Sequence, residues 1–231
     1  MLIDQIGDIA FTASVWILPV LLAVTLHEAA HGYVAWVLGD DTAKQLGRVT
    51  LNPLVHIDRF GTVILPGLLL LFSAPFLFGY AKPVPVSVGR LNHPRRDMML
   101  VAVAGPLANI ILALLAAIMF HLLFLVPDFA DNWVARTLLN MFQLNLILAV
   151  FNLLPIPPLD GGRILTGALP YPLAVRLAAL ERFGMVLIVG GLFLLPFLGK
   201  QFGYSLDIFG WFIGVPTEWL GWLLLTLTGH G

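Results

Sequence analysis

The sequence predicts an all-α polytopic membrane protein, with about five to six transmembrane helices, a re-entrant segment and a small membrane-associated β-sheet. Three observations predict it. Of 231 residues, 59% are apolar and 11% charged, and mean hydropathy is +0.95. Soluble domains hold roughly 45–50% apolar and about 25% charged residues, so a soluble fold of this size would lack the charge to coat its surface. The apolar residues also come in runs near the length of about 20 residues that a spanning helix needs. Finally, the basic residues collect in a few loops. The same composition excludes disorder, a nucleic-acid-binding module and a secreted disulfide scaffold. There is no cysteine, so thiol redox chemistry and thiolate metal ligation are unavailable. The net charge of −1 points to no partner.

Taken in order, the apolar segments cover residues 9–38, 61–80, 98–126, 133–155, 183–198 and 206–226. The N-terminus carries Asp4 and Asp8 and no Lys or Arg before Lys44. A signal peptide needs a basic start, so the first segment reads as a retained helix. With no repeat or linker in view, residues 1–231 read as a single integral-membrane domain. Lys44, Arg48, Arg59, Lys82, Arg90, Arg95 and Arg96 flank the second segment on both sides, and Arg163, Arg176 and Arg182 follow the fourth. Basic loops face the cytoplasm. Placing residues 39–60, 81–97 and 159–182 there puts ten of the twelve Lys and Arg inside. Segment 61–80 then enters and returns on the same side. Its Gly61, Pro66, Gly67, Pro75 and Gly79 suit a broken path better than a continuous helix. Next to it, 48–51 and 82–88 read as short strands or as plain loops. Pro83 and Pro85 fit an edge strand and exclude a helix.

The first helix holds His27-Glu28-Ala29-Ala30-His31, an H-E-x-x-H pattern. On a helix, residues i and i+4 share a face, so both imidazoles can reach one metal ion. Glu28 lies beside them, placed to take a proton from a metal-bound water. Three polar residues together in an apolar helix usually mark function, although a chance match, two satisfied core histidines or a haem pair would give the same letters. A hydrolytic zinc site needs a third protein ligand and one open position. Asp160 is the candidate, in the stretch Asn152-Leu-Leu-Pro-Ile-Pro-Pro-Leu-Asp-Gly-Gly-Arg163. Its prolines stop the fourth helix, and Gly161 and Gly162 allow close backbone approach. Topology gives an independent test. With 61–80 re-entrant, the first and fourth helices both run inward, and Asp160 emerges on the side of His27 and His31. If 61–80 spanned, Asp160 would emerge on the opposite face.

These motifs, with Asn52-Pro-Leu-Val-His-Ile-Asp58 and Gly105-Pro-Leu-Ala-Asn109, make the chain resemble the site-2 proteases. These are intramembrane zinc metalloproteases, and the resemblance is to their short prokaryotic members. It implies a three-helix core with accessory helices and a small sheet. It also implies one catalytic Zn2+ on His27, His31 and Asp160, with Glu28 as general base and Asn152 near the substrate. An amide at Asn152 could stabilise an oxyanion or hold the broken helix. The 231 residues leave no room for the PDZ or CBS domain that many relatives carry. Asn109 reads as a packing residue that bonds to a neighbouring helix, and His56 with Asp58 as a loop-orienting pair. His93, His121 and His230 receive no role.

The expected function is an intramembrane zinc endopeptidase that cuts a transmembrane protein substrate within or near its membrane segment (regulated intramembrane proteolysis). It would act in the prokaryotic plasma membrane, with its site toward the cytoplasm. The partners are that substrate and the lipid bilayer, with no nucleic acid. The alternatives are an inactive relative that only binds membrane partners and a metal transporter. Retained Glu28 speaks against the first, and a single ligand cluster against the second. The edge strand near 83–88 would pair with an unwound substrate by strand addition.

Overall fold

Long apolar runs, each ended by specific stop chemistry, build the frame. The computed structural model describes residues 2–64, 68, 81–204 and 208–230. Helix α1 covers Leu2–Val37. It ends because Gly39 takes φ +108, which glycine adopts without a Cβ penalty. The Asp40 N–H then closes onto the Ala35 carbonyl at 2.9 Å. A short helix α2 follows at Thr42–Gln45. Helix α3, Pro94–Phe120, starts with proline at its first position, where no N–H is needed. Helix α4 covers Asp128–Asn152, with Asp128 and Asp131 in its first turn, where carboxylates offset the helix dipole. The Pro155-Ile-Pro-Pro158 turn separates it from α5, Asp160–Ala168.

Helices α1, α3 and α4 pack against one another as one three-helix unit. Alanines make this closeness possible. Ala113, Ala116 and Ala117 of α3 meet Leu138, Met141, Phe142 and Leu146 of α4 in a buried cluster. Leu224 of α9, Ile208–Leu227, joins from outside. Polar pins fix the register: the Trp133 indole donates to the Ser14 hydroxyl at 2.9 Å, and the Asn140 amide to the Val15 carbonyl at 3.2 Å.

Among the described residues three helices are long and apolar enough to cross a membrane: Gly7–Val37, Pro94–Phe120 and Asp128–Asn152. The pair Tyr171–Phe183 and Val186–Gln201, bent by 71°, would make a fourth. The expected five to six spans are therefore not found there. The run at 183–198 is divided into α7 (Gly184–Val189), a π-helical turn and α8 (Leu195–Gln201). Helix α9 carries Pro216, Thr217 and Glu218 at its middle. The re-entrant reading of 61–80 lies outside the described residues, apart from 61–64 and 68.

The described residues also hold no strand. Around 48–51, local bonds win over pairing. The Arg48 guanidinium donates to the Val55 carbonyl at 2.6 Å, and the His56 ring contacts the Thr50 carbonyl at 3.2 Å. Residues 81–87 form an irregular strap across α1, and three of their backbone donors are already committed. Lys82 N–H bonds the His56 carbonyl at 2.9 Å, Val84 N–H bonds Glu28 at 2.8 Å and Ser87 N–H bonds Asp40 at 2.6 Å. Pro83 and Pro85 have none to give. The strap therefore pairs with no strand among the described residues.

Candidate active site

His27 and His31 sit one turn apart on α1, and the Pro155–Pro158 turn delivers Asp160 to them at the first position of α5. The glycines after Asp160 serve that delivery. A Cβ on Gly162 would lie 2.4 Å from the backbone nitrogen of Pro157, and one on Gly161 would lie 2.4 Å from the Leu154 carbonyl oxygen. Both glycines thus let α5 close onto the turn, rather than letting backbone approach the histidines.

The two Nε2 atoms are 3.1 Å apart, and each is 3.2 Å from Asp160 Oδ2. All three residues are buried. Their hydrogen bonds settle what these atoms offer. His31 Nδ1 lies 2.7 Å from the Val101 carbonyl, which only accepts, so in the neutral ring Nδ1 carries the hydrogen and Nε2 a lone pair. His27 Nδ1 lies 2.6 Å from Asn109 Oδ1, with the same result. Asp160 Oδ2 is buried and meets no hydrogen-bond donor. With both rings neutral, three acceptors converge here, which a cation would resolve. Two imidazoles and a carboxylate are a donor set suited to zinc. A tetrahedral centre with bonds of about 2.0–2.1 Å would separate its ligands by about 3.3–3.4 Å, close to the spacings here. Among the described residues no other group of three or more His, Cys, Asp or Glu is placed to hold a metal.

Residues 15–131 and 127–195 match the model of peptidase family M50. The chain belongs to this family. As an M50 peptidase, of the site-2 protease kind, it is a membrane-embedded metalloprotease with zinc as its cofactor. It is 40% identical over 180 residues to YwhC of Bacillus subtilis, covering 75% of this chain and 77% of that one. It is 34% identical over 200 residues to Rip2 of Mycobacterium tuberculosis, covering 87% and 70%. A Rip2 of Mycolicibacterium smegmatis is 31% identical over 182 residues, covering 79% and 67%. All three bear the name "putative zinc metalloprotease". No solved structure matches the chain.

The other residues singled out in the sequence lie as follows around His27, His31 and Asp160. Glu28 and Asn152 line the same cavity of about 130 Å³ as the two histidines and Asp160, together with the strap residues Pro83, Val84 and Val86. Glu28 Oε2 accepts the Val84 N–H at 2.8 Å. Asn152 donates one amide hydrogen to the Leu148 carbonyl at 3.0 Å, one turn back on α4. Gly105 of α3 faces the imidazoles, and a Cβ there would lie 2.6 Å from His27 Nε2. Asn109 is fully buried and holds His27 directly, so it does more than pack helices. His56 is buried away from the triad and bonds within its own loop, while Asp58 Oδ1 accepts the N–H groups of Phe60 and Gly61. Both orient the loop, as expected. Asn145 was not expected: it is fully buried and bonds Asn109 at 2.7 Å. A lone asparagine in an apolar helix carries no spacing signal of its own. Only its cost in such a helix could have flagged it.

Proposed function

We propose that the protein is an intramembrane zinc endopeptidase. It hydrolyses a peptide bond within or near a transmembrane segment of a membrane-protein substrate, as in regulated intramembrane proteolysis. His27, His31 and Asp160 hold the zinc, Glu28 is the general base, and Asn152 steadies the oxyanion. The observation that carries this reading is the convergence of two imidazole nitrogens and a carboxylate oxygen, all buried, inside an apolar helix bundle. Bound zinc supplies an acidified water and a Lewis-acid contact. Glu28 takes the proton on the oxygen that Val84 leaves free and returns it to the departing amine. The second amide hydrogen of Asn152 faces the developing oxyanion. The membrane is the prokaryotic plasma membrane, with the site toward the cytoplasm, where water is available.

The substrate reaches the site by displacing the strap. The cavity of about 130 Å³ is bordered by the strap residues Pro83, Val84 and Val86. Pro155, Ile156 and Pro157 of the turn also line an apolar cavity of about 490 Å³, sized for side chains of a membrane segment. Purified wild type and Glu28→Gln, tested for bound zinc and on a model transmembrane substrate, decide the reading. Both should hold zinc, and the variant should lose about 10²-fold or more in cleavage. Equal cleavage by both overturns the mechanism, and zinc flux in liposomes would identify a transporter.

A further inference from the structure

Two buried asparagines stand behind the triad on two different helices. We infer that Asn145, which touches neither the triad nor the cavity, is a positioning residue for metal binding. It acts through Asn109 on the ring state of His27. The inference rests on the proposed ligand set.

The chain of bonds has a fixed direction because its ends can only accept. The Met141 carbonyl takes the Asn145 amide N–H at 2.7 Å, and the Ala23 carbonyl takes one amide hydrogen of Asn109 at 3.2 Å. Asn145 must therefore turn Oδ1 toward Asn109, where it receives the second amide hydrogen at 2.7 Å. With both hydrogens committed, Asn109 presents Oδ1 to His27 Nδ1 at 2.6 Å. An oxygen there requires a hydrogen on Nδ1, which leaves the Nε2 lone pair for the metal. Both asparagines have zero exposure, so the chain has no access to solvent. Without the Asn145 oxygen, one hydrogen of Asn109 has no acceptor. Rotating the amide would put a donor against Nδ1, favour the hydrogen on Nε2, and aim it at His31 and Asp160. The same bonds tie α1, α3 and α4 together at the level of the site.

Zinc affinity, measured by competition with a chelator, tests this without reference to turnover. Asn145→Leu should weaken zinc binding about 10–100-fold, the range typical of outer-shell changes. Asn109→Asp offers His27 an oxygen in either orientation, so the residue at 145 no longer has anything to set. In that background, adding Asn145→Leu should change zinc affinity by less than about threefold. Asn145→Ala, which removes the same oxygen without adding bulk, is measured in parallel in both backgrounds. An equal loss in both backgrounds, no loss in either, or failure of both variants to fold even with Asp at 109 overturns the proposal. Asp160→Ala separates the two levels. If it leaves zinc affinity unchanged, the ligand set itself is wrong; if it abolishes binding, the Asn145 result stands alone.

Discussion

Gly105 is where the helix packing and the metal site meet. Its missing Cβ lets α3 lie against both imidazoles, with His27 Nε2 only 2.6 Å from where that carbon would be. The rings are already held through Nδ1 by Asn109 and Val101, so they cannot swing aside without breaking buried bonds. Gly105→Ala should cost roughly 1–3 kcal/mol of stability, the usual cost of overpacking, and abolish zinc retention. Gly214 of α9 has nothing within 4 Å of its Cβ position, so Gly214→Ala should be neutral or slightly stabilising. Thermal unfolding and metal content of the two purified variants check both outcomes. At this scale the sequence was informative where chemistry forces a spacing. His27, Glu28 and His31 were legible because i and i+4 share a helix face, and Asp160 because prolines and glycines mark its turn. Asn145 was hidden because its role depends on a residue 36 positions away.

The strap at 81–87 shows how an element can be misread from composition. Alternating Val and Pro suggested an edge strand, but side-chain carboxylates capture the N–H groups that a strand would share. Asp40 is its latch. It is fully buried, and its oxygens accept the Thr42 N–H at 3.1 Å, the Thr42 hydroxyl at 2.5 Å and the Ser87 N–H at 2.6 Å. Burial pushes its pKa up. Thr42 and Ser87 more than offset this, with help from the Arg90 charge, and hold it below the ordinary 3.8. A carboxylate whose pKa is lower in the folded state stabilises fully above its unfolded value. That contribution is lost as pH falls through the folded one. The latch should therefore hold at neutral pH and loosen in acid below about 3.8. Asp40→Asn should cost about 1 kcal/mol, because it leaves a part-buried donor of Thr42 or Ser87 without its acceptor. It should also speed amide exchange at Val84 and Ser87 at pH 7. Hydrogen-exchange mass spectrometry of wild type and variant reads this directly, and unchanged exchange would remove Asp40 as the latch.

At the scale of the molecule, the proposed orientation rests on charge and geometry. Helix α3 has 27 residues, about 40 Å at roughly 1.5 Å per residue, longer than a hydrocarbon core of about 30 Å. Its two ends therefore emerge on opposite sides. At its start lie Arg90, Arg95 and Arg96, and the Arg95 guanidinium bonds the Gly167 and Leu169 carbonyls at the end of α5. The Asn92 N–H bonds the Leu38 carbonyl at 2.9 Å, which brings the end of α1 to the same side. At the other end of α3, the turn to α4 carries Asp128 and no basic residue. The convergence of His31 and Asp160 fits the same layout, because α1 and α4 must then run in parallel. The number of spans was not legible in the sequence. Charge bias needs only loops, whereas counting spans needs helix breaks such as the bend between α6 (Tyr171–Ala179) and α7, which apolar composition hides. The absence of native cysteine makes the orientation directly testable. Arg96→Cys and Phe129→Cys replace exposed side chains at opposite ends of the bundle. With basic residues inside, an impermeant maleimide should label Phe129→Cys on intact cells and Arg96→Cys only after permeabilisation. The reverse pattern would place the triad near the external face and overturn cytoplasmic water entry.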